Sequence, residues 1–292
     1  MRPIEITDDR GQAHRFVKPP ERIVSLVPSD TYTLARLGAG TRLVGRTDYC
    51  DAPAELAERV PTVGGTKDAD VEKILAMRPD VVLVNQEENT LRTAEKLAAE
   101  RIPTIVSFPR KATDSLTQIA RIARLLGPLT PESKELVKWA YAADAELRKA
   151  ALKAAPARVF LQIWMDPLMT IQRETFISDT LDHLGLENVF ADRDRKYPLA
   201  ADLGRAEPQR VQGRDVRYPR VTLEEVVRRR PELVLLPDEP HPFSESDADV
   251  FRALDIGARV IFIRGKSVMW PGLMALEGAK ELAAKIEAAR SA

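Results

Sequence analysis

A chain of 292 residues with one cysteine, Cys50, cannot close an intramolecular disulfide, so a covalent framework is excluded as a source of its stability. Histidine is scarce as well. His14, His183 and His241 are too few to build an imidazole cage for bare Zn²⁺ or Mn²⁺. Net charge is missing: 44 Lys and Arg balance 44 Asp and Glu, so no global field draws in nucleic acid or an anionic membrane. No window approaches the roughly 20 uninterrupted apolar residues of a membrane span, and direct membrane insertion is not expected. Residues 1–10 lack the apolar stretch of about 7–15 residues that an export signal needs, which places the chain as written in the cytoplasm. A periplasmic or extracytoplasmic location is expected instead if a signal has been removed. Also absent are a Gly-x-Gly-x-x-Gly after a strand, a phosphate loop, a Gly-x-Ser-x-Gly elbow and a nucleophile with a paired histidine, and no enzymatic role is expected.

What is present reads as an ordinary globular composition, 44% hydrophobic and 30% charged, with no long polar tract. Short apolar runs alternate with helix-period segments. Arg22-Ile-Val-Ser-Leu-Val-Pro, Asp80-Val-Val-Leu-Val-Asn and Pro103-Thr-Ile-Val-Ser-Phe come first. Arg158-Val-Phe-Leu-Gln-Ile-Trp, Glu232-Leu-Val-Leu-Leu-Pro and Arg259-Val-Ile-Phe-Ile-Arg follow. This pattern marks parallel sheet with crossover helices, twice over. One phrase recurs in step over fourteen positions. Val71-Glu-Lys-Ile-Leu-Ala-Met-Arg-Pro-Asp-Val-Val-Leu-Val in the first half matches Leu223-Glu-Glu-Val-Val-Arg-Arg-Arg-Pro-Glu-Leu-Val-Leu-Leu in the second. Each predicts a short helix, a proline that stops it and a buried strand.

From Thr130 an alanine-rich stretch of about 24 residues, with a capping threonine and Pro131 at the first helical position, predicts one continuous helix of roughly 36 Å. The fold expected is therefore α/β: two Rossmann-like lobes with mainly parallel sheets, joined by one long backbone helix. The boundaries expected are 1–128 for the N-terminal lobe, 129–155 for the helix and 156–292 for the C-terminal lobe. Such a strut predicts only small closure on ligand binding. A last helix is expected from about Gly272 to Ala289. The polar, Arg-rich segment Tyr197 to Pro219 reads as a long surface loop inserted in the second lobe.

Several stretches in this order resemble the helical-backbone metal receptors, the class III periplasmic-type binding proteins for vitamin B12, haem or ferric siderophores. They are Pro20-Glu-Arg-Ile-Val-Ser-Leu-Val-Pro-Ser, Leu43-Val-Gly-Arg-Thr-Asp-Tyr-Cys-Asp-Ala-Pro and Pro61-Thr-Val-Gly-Gly-Thr-Lys, then the first copy of the repeated phrase. Thr175-Phe-Ile-Ser-Asp-Thr-Leu, Leu186-Glu-Asn-Val-Phe and the second copy continue the likeness over nearly the whole chain. The resemblance implies a substrate-binding protein that takes a corrinoid in the cleft between its lobes and delivers it to an ABC permease dimer. It also implies that Glu72 and Glu224, at equivalent helix heads in the two halves, dock on permease arginines. Their other reading is helix-dipole carboxylates. The chain departs from the B12 binders where a corrin-flanking tryptophan aligns with Thr66, and in the 197–219 insert.

In an α/β lobe the ligand sits beyond the carboxyl ends of the strands. The candidate ligand contacts are therefore Ser29, Tyr49, Cys50, Thr66, Lys67, Asn85, Gln86 and Arg110 in the first half. Trp164, Asp238, His241 and Trp270 are those of the second. Tyr49 can stack on a macrocycle or ligate iron through its phenolate. Cys50 is either an axial metal ligand or a small buried hydrophobe, and His241 a cobalt or iron ligand or a loop histidine. Trp164 and Trp270 either face ligand or close the core. The mixture of rings, amides and charges suits a prechelated metal, a small-molecule corrinoid or ferric chelate, with no covalent cofactor. Ferric-siderophore or haem binding, a cytosolic corrinoid carrier or sensor, and an enzyme of other reaction remain the alternatives.

Overall fold

In the computed structural model, residues 3–153 and 155–291 are described. The strands are β1 (Ile4–Thr7), β2 (Ala13–Phe16), β3 (Ile23–Ser25), β4 (Leu43–Arg46), β5 (Val81–Asn85), β6 (Thr104–Ser107), β7 (Ala157–Leu161), β8 (Leu186–Asn188), β9 (Leu233–Pro237) and β10 (Arg259–Ile263). The helices are α1 (Pro28–Leu34), α2 (Ala54–Arg59), α3 (Val71–Ala76), α4 (Leu91–Ala99), α5 (Asp114–Leu126) and α6 (Pro131–Ala151). After β7 come α7 (Phe176–His183), α8 (Leu199–Asp202), α9 (Leu223–Arg229), α10 (Glu245–Arg252), α11 (Lys266–Met269) and α12 (Leu273–Ser291). Two four-stranded sheets form, ordered β4-β3-β5-β6 and β10-β9-β7-β8, and every pairing in them is parallel. The α/β class with two parallel sheets is as the apolar runs predict.

The chain divides into two compact units. The first takes residues up to Pro109, then Thr113–Ala143 and Trp270–Met274, and the second takes Arg110–Ala112, Asp144–Met269 and the chain from Ala275. The expected connecting helix is present as α6, 21 residues or about 32 Å long. Its Thr130 hydroxyl accepts the Ser133 N–H at 3.2 Å. Asp144, 1% exposed within it, lies 2.7 Å from Arg148 and 3.0 Å from His183 of α7.

Both faces of each sheet are covered, which explains why the strands read as unbroken apolar runs. In the second unit Val159, Leu161, Leu233 and Leu235 fill one core, while their neighbours Phe160, Val234 and Leu236 fill another. This is the period-two alternation of a strand. Phe160 stacks at 5.2 Å on Phe190 and 5.9 Å on Phe251 in that second core. In the first unit Val24, Val82, Val84 and Val106 pack against Val71 and Ile74 of α3 and Leu97 of α4.

The repeated phrase folds the same way in both units. Asp70 and Thr222 cap α3 and α9 by accepting the Lys73 and Glu225 N–H groups. The residue before each proline is an arginine in the left-handed region, Arg78 at φ 46° and Arg230 at φ 48°, which ends the helix as a left-handed cap does. An arginine at the head of the central strand then clamps that end. Arg22 Nη2 donates to the Met77 carbonyl and Arg158 Nη2 to the Arg229 carbonyl, both at 2.6 Å and at equivalent positions. The acid after the proline closes the ring: Asp80 and Glu232 each give their N–H to that arginine's carbonyl at 2.8 Å. Their carboxylates accept the arginines' own N–H groups.

Strand β4 lies before Tyr49 as expected, and three features differ from expectation. A β1–β2 antiparallel hairpin lies beside β6, and β8 completes the second sheet with only three residues, too short to carry a periodic signal. The 197–219 segment is not wholly loop. It contains α8, whose Asp202 is 2% exposed and accepts from Arg193 Nη1 at 3.0 Å, Lys196 N–H at 2.8 Å and Arg220 N–H at 2.7 Å. A carboxylate with three donors can be buried, and it pins both ends of the segment.

A second buried carboxylate is less well served. Asp30 in α1 is 4% exposed, accepts from Gln118 Nε2 of α5, and borders a cavity of about 10 Å³ with Ser107 and Arg121. Burial outweighs the Gln118 hydrogen bond and pushes its pKa up to about 7.

Removing either clamp should cost about 1 kcal/mol, the net worth of a few solvent-accessible hydrogen bonds. Arg22→Ala and Arg158→Ala are each expected to lower the urea midpoint, and their effects to add because they lie in separate units. An unchanged midpoint in both variants would refute the clamp. For Asp30 the sign follows from a raised folded-state pKa: its contribution is most favourable below about pH 4 and declines as pH rises toward 7. Asp30→Asn should therefore flatten the dependence of Tm on pH between about 4 and 7 and raise Tm at pH 8. A steeper profile in the variant would contradict this.

Candidate functional site

The carboxyl ends of the strands carry the candidate residues, and the backbone there is shaped by buried amides. Asn85 ends β5 with its side chain turned inward: Oδ1 accepts the Glu87 and Glu88 N–H groups at 2.8 and 3.2 Å, and Nδ2 reaches Ser107 at 3.4 Å. Asn89 ties three segments together. Its Oδ1 takes the Asn85 N–H at 2.7 Å, and its Nδ2 donates to the carbonyls of Leu26 and Thr66 at 3.1 and 2.9 Å. The end of β3, the end of β5 and the 64–67 turn are thereby fixed to one another. Asn89 escaped the sequence reading, although an amide four residues past a strand-ending asparagine is a usable signal.

In the first unit four expected contacts lie at the surface or half-buried. Tyr49 is 64% exposed on the loop after β4, over Gly65, where an added Cβ would sit 3.4 Å from the ring. Lys67 is exposed and donates to the Glu87 carbonyl, Gln86 is exposed, and Thr66 is half-buried. Four others are buried. Cys50 is fully buried, with its Sγ 3.2 Å from the Thr31 hydroxyl and 3.1 Å from that of Thr47. Burial pushes its thiol pKa up, which favours the neutral form of a small buried side chain. Ser29 is 2% exposed and Asn85 5%, and Asn85 braces its loop from inside. Trp270, assigned to the first unit, is 8% exposed and takes the core-closing role. Beside it Gly272 stands at φ +94°, where a Cβ would meet the Thr33 hydroxyl at 2.8 Å.

In the second unit Trp164 follows β7 and is 43% exposed. Its Nε1 donates to the Asp166 carbonyl at 3.1 Å, and its own carbonyl accepts from Gln162 Nε2 at 2.5 Å. Gln162 is fully buried, and one amide inside an apolar strand run was the signal for it. Trp164, His241 and Phe243 form an edge-to-face row, with centroids 5.3 and 4.6 Å apart. His241 is half-buried and 3.8 Å from Asp247. Asp238 is exposed and accepts the Gly265 N–H at 2.7 Å, and Arg110 is exposed with Glu174 at 3.0 Å. Among the described residues no group of three or more His, Cys, Asp and Glu is placed to hold a metal ion, and no helix is long and apolar enough to cross a membrane.

Each unit therefore offers an exposed ring at a strand's carboxyl end: Trp164 has its carbonyl held by the Gln162 amide, and the Tyr49 loop is tied by the Asp48 N–H to the Gly64 carbonyl of the turn that Asn89 fixes. Glu72 and Glu224 are exposed at the heads of α3 and α9, and a hydrogen bond from Thr222 holds the Glu224 carboxyl below the usual range.

Comparison with known proteins gives a consistent answer. The periplasmic binding protein family matches residues 23–238. A vitamin B12-binding protein of Pectobacterium atrosepticum is 30% identical over 227 residues, 74% of this chain and 71% of that one. A vitamin B12-binding protein of Yersinia pestis is 28% identical over 216 residues, covering 74% and 69%. Two solved structures share the fold at 20% identity and a TM-score of 0.75. One is the periplasmic vitamin B12 binding protein of Vibrio cholerae, with 94% of this chain and 99% of that one covered, and the other a periplasmic haem-binding protein of Roseiflexus sp. RS-1, with 92% and 98%. With a family match over most of its length and a relative at 30% identity, this chain belongs to the periplasmic binding protein family.

Proposed function

We propose that the chain is a substrate-binding protein for a corrinoid, held by the loops beyond the strand ends and handed to an ABC permease. The observation that carries this is the exposure of Tyr49 and Trp164 in a chain that buries Phe160, Phe190, Phe251 and Trp270. A large ring left in water at a strand's carboxyl end, with the backbone of its loop held by hydrogen bonds, is a stacking surface prepared in advance. The naming of the curated relatives as vitamin B12-binding proteins supports a corrinoid as the ligand. Thr66, Lys67, Gln86, Arg110 and Asp238 supply rim donors and acceptors suited to the amides of such a ligand. Glu72 and Glu224 are the proposed docking carboxylates, one at the head of each repeated helix.

A ferric chelate is the second reading, favoured by the exposed Tyr49 hydroxyl, since a phenolate is a ligand for ferric iron. The visible spectrum separates the two. Iron ligation by Tyr49 adds a phenolate-to-metal band that Tyr49→Phe removes, whereas stacking on a corrin survives that change.

Calorimetry with cyanocobalamin should give a dissociation constant at or below micromolar, and Tyr49→Ala and Trp164→Ala should each weaken it about tenfold, or about 1.4 kcal/mol. Failure of cyanocobalamin, haemin and a ferric siderophore alike to bind would end the reading. For docking, Glu72→Lys and Glu224→Lys should leave chelate affinity within about twofold and abolish stimulation of the reconstituted permease's ATP hydrolysis. Full stimulation by the doubly reversed protein would remove those carboxylates from the interface.

A further inference from the structure

The Arg-rich segment of the second unit contains a cation that its own chain does not satisfy. Between Asp192 and Arg220 eight Lys and Arg face five Asp and Glu, in a protein whose total charge is zero. Two of these cations are held by carboxylates. Arg193 reaches Asp202 and Glu225, both at 3.0 Å, and Arg217 reaches Asp215 at 2.7 Å. Arg220 is different: its Nε and Nη1 are shielded from solvent and have no hydrogen-bond partner. Asp202 holds the Arg220 backbone N–H through its Oδ2, while its Oδ1 takes Arg193 Nη1 and the Lys196 N–H, and it makes no hydrogen bond to these two guanidinium nitrogens. Desolvation and the nearby Arg195 charge act against the Arg220 guanidinium and outweigh the favourable fields of Asp202 and Tyr197. Arg195 and Arg214 in turn stack on the Tyr197 ring, at 4.5 and 5.1 Å. The phenol is held in place by its bond to the Asp215 carbonyl at 2.7 Å.

Two guanidinium groups over one aromatic ring, with the Arg220 guanidinium close enough to feel the Arg195 charge and holding idle buried donors, make an arrangement that costs energy unless an anion joins it. Guanidinium forks match the geometry of a phosphate or carboxylate, and stacking on a ring leaves their edges free to donate. Arg214 is exposed and Arg195 half-buried, so an anion arriving from water meets these two first. The position is also telling. Trp164 pairs with Met169, and Met169 pairs with Arg220, which puts Arg220 two ladder steps, or about 10 Å, from the exposed tryptophan.

We infer that Arg195, Arg214 and Arg220 with Tyr197 form an oxyanion subsite that receives an acidic substituent, phosphate or carboxylate, of the ligand stacked on Trp164. The subsite rests on the chelate-binding reading for its place in the ligand, but not for its chemistry. Two ligand pairs distinguish the acids. Cyanocobalamin carries a phosphodiester that cobinamide lacks, and haemin carries two carboxylates that its dimethyl ester lacks. The wild type should bind the acid-bearing member of at least one pair about tenfold more tightly, and Arg220→Gln should abolish that preference. Inorganic pyrophosphate alone should raise the wild-type Tm by about 3 °C and leave Arg220→Gln unmoved. In anion-free buffer Arg220→Gln should melt no lower than the wild type, since it removes a buried, partly unsatisfied cation. Arg195→Gln should give the same losses if Arg220→Gln does not fold. Preference and pyrophosphate effect both absent from the wild type, or both retained in the variants, would overturn the subsite. A pyrophosphate effect that depends on Arg220, with no chelate bound by the wild type, would instead uphold the subsite and remove the chelate reading.

Discussion

An arginine at the root of a central strand, gripping the last turn of the helix that crosses over to its neighbour, is the interaction on which each unit depends. Arg22 and Arg158 hold the carbonyl ends of α3 and α9 where Pro79 and Pro231 forbid a further helical bond. The grip sets where β5 and β9 begin, because Asp80 and Glu232 bond back to the same arginines. Once that start is fixed, the period-two alternation decides which side chains enter which core, and the strand's length decides where the loops beyond it emerge. The geometry of Asn85 and the 237–241 loop is thus inherited from a contact at the opposite end of the strand. The cost is an arginine in the left-handed region in each unit, a conformation that glycine adopts more readily, and it is accepted twice at equivalent positions.

The repeat made this part of the fold legible before any coordinates. Helix, proline and buried strand each have a strong local signature, and agreement between two copies removes chance. What stayed hidden had weak signatures. Strand β8 is too short for periodicity, and the hairpin at the amino end alternates polar with apolar positions around a polar turn. In the candidate site, sequence located the loops but not the direction of their side chains. Tyr49 and Cys50 are neighbours, and one is 64% exposed while the other is sealed beneath Thr31 and Thr47. Adjacent residues on a loop after a strand point to opposite sides, and only the packing of that loop decides which is which. The 197–219 segment hid its order for a different reason. A single aspartate with three donors holds it, and nothing in local composition marks Asp202 as that residue.

Polar groups inside this protein fall into two kinds. Asn85, Asn89 and Asp202 have their hydrogen-bonding capacity spent on backbone, which turns loops into rigid platforms. Asp30 and Arg220 carry charge where burial opposes it. The first kind explains why rings can be presented to solvent without collapsing onto the surface. The second stores unfavourable free energy that a proton, in one case, or an anion, in the other, relieves. A binding protein needs both, since stiffness lowers the entropy lost on association and an unmet charge adds selectivity.

The hairpin β1–β2 has a role of its own. β6 is the outer strand of the first sheet, and Asp8 and Asp9 accept the N–H groups of Val106 and Phe108 while Asp9 gives its own N–H to the Val106 carbonyl. Arg121 secures Asp9 against α5. The free edge of an apolar strand is where identical chains add to one another and begin to aggregate. By occupying it with two carboxylates from the β1–β2 turn, the protein caps the outer backbone of β6, so the hairpin serves the sheet as an edge guard rather than as an extra strand.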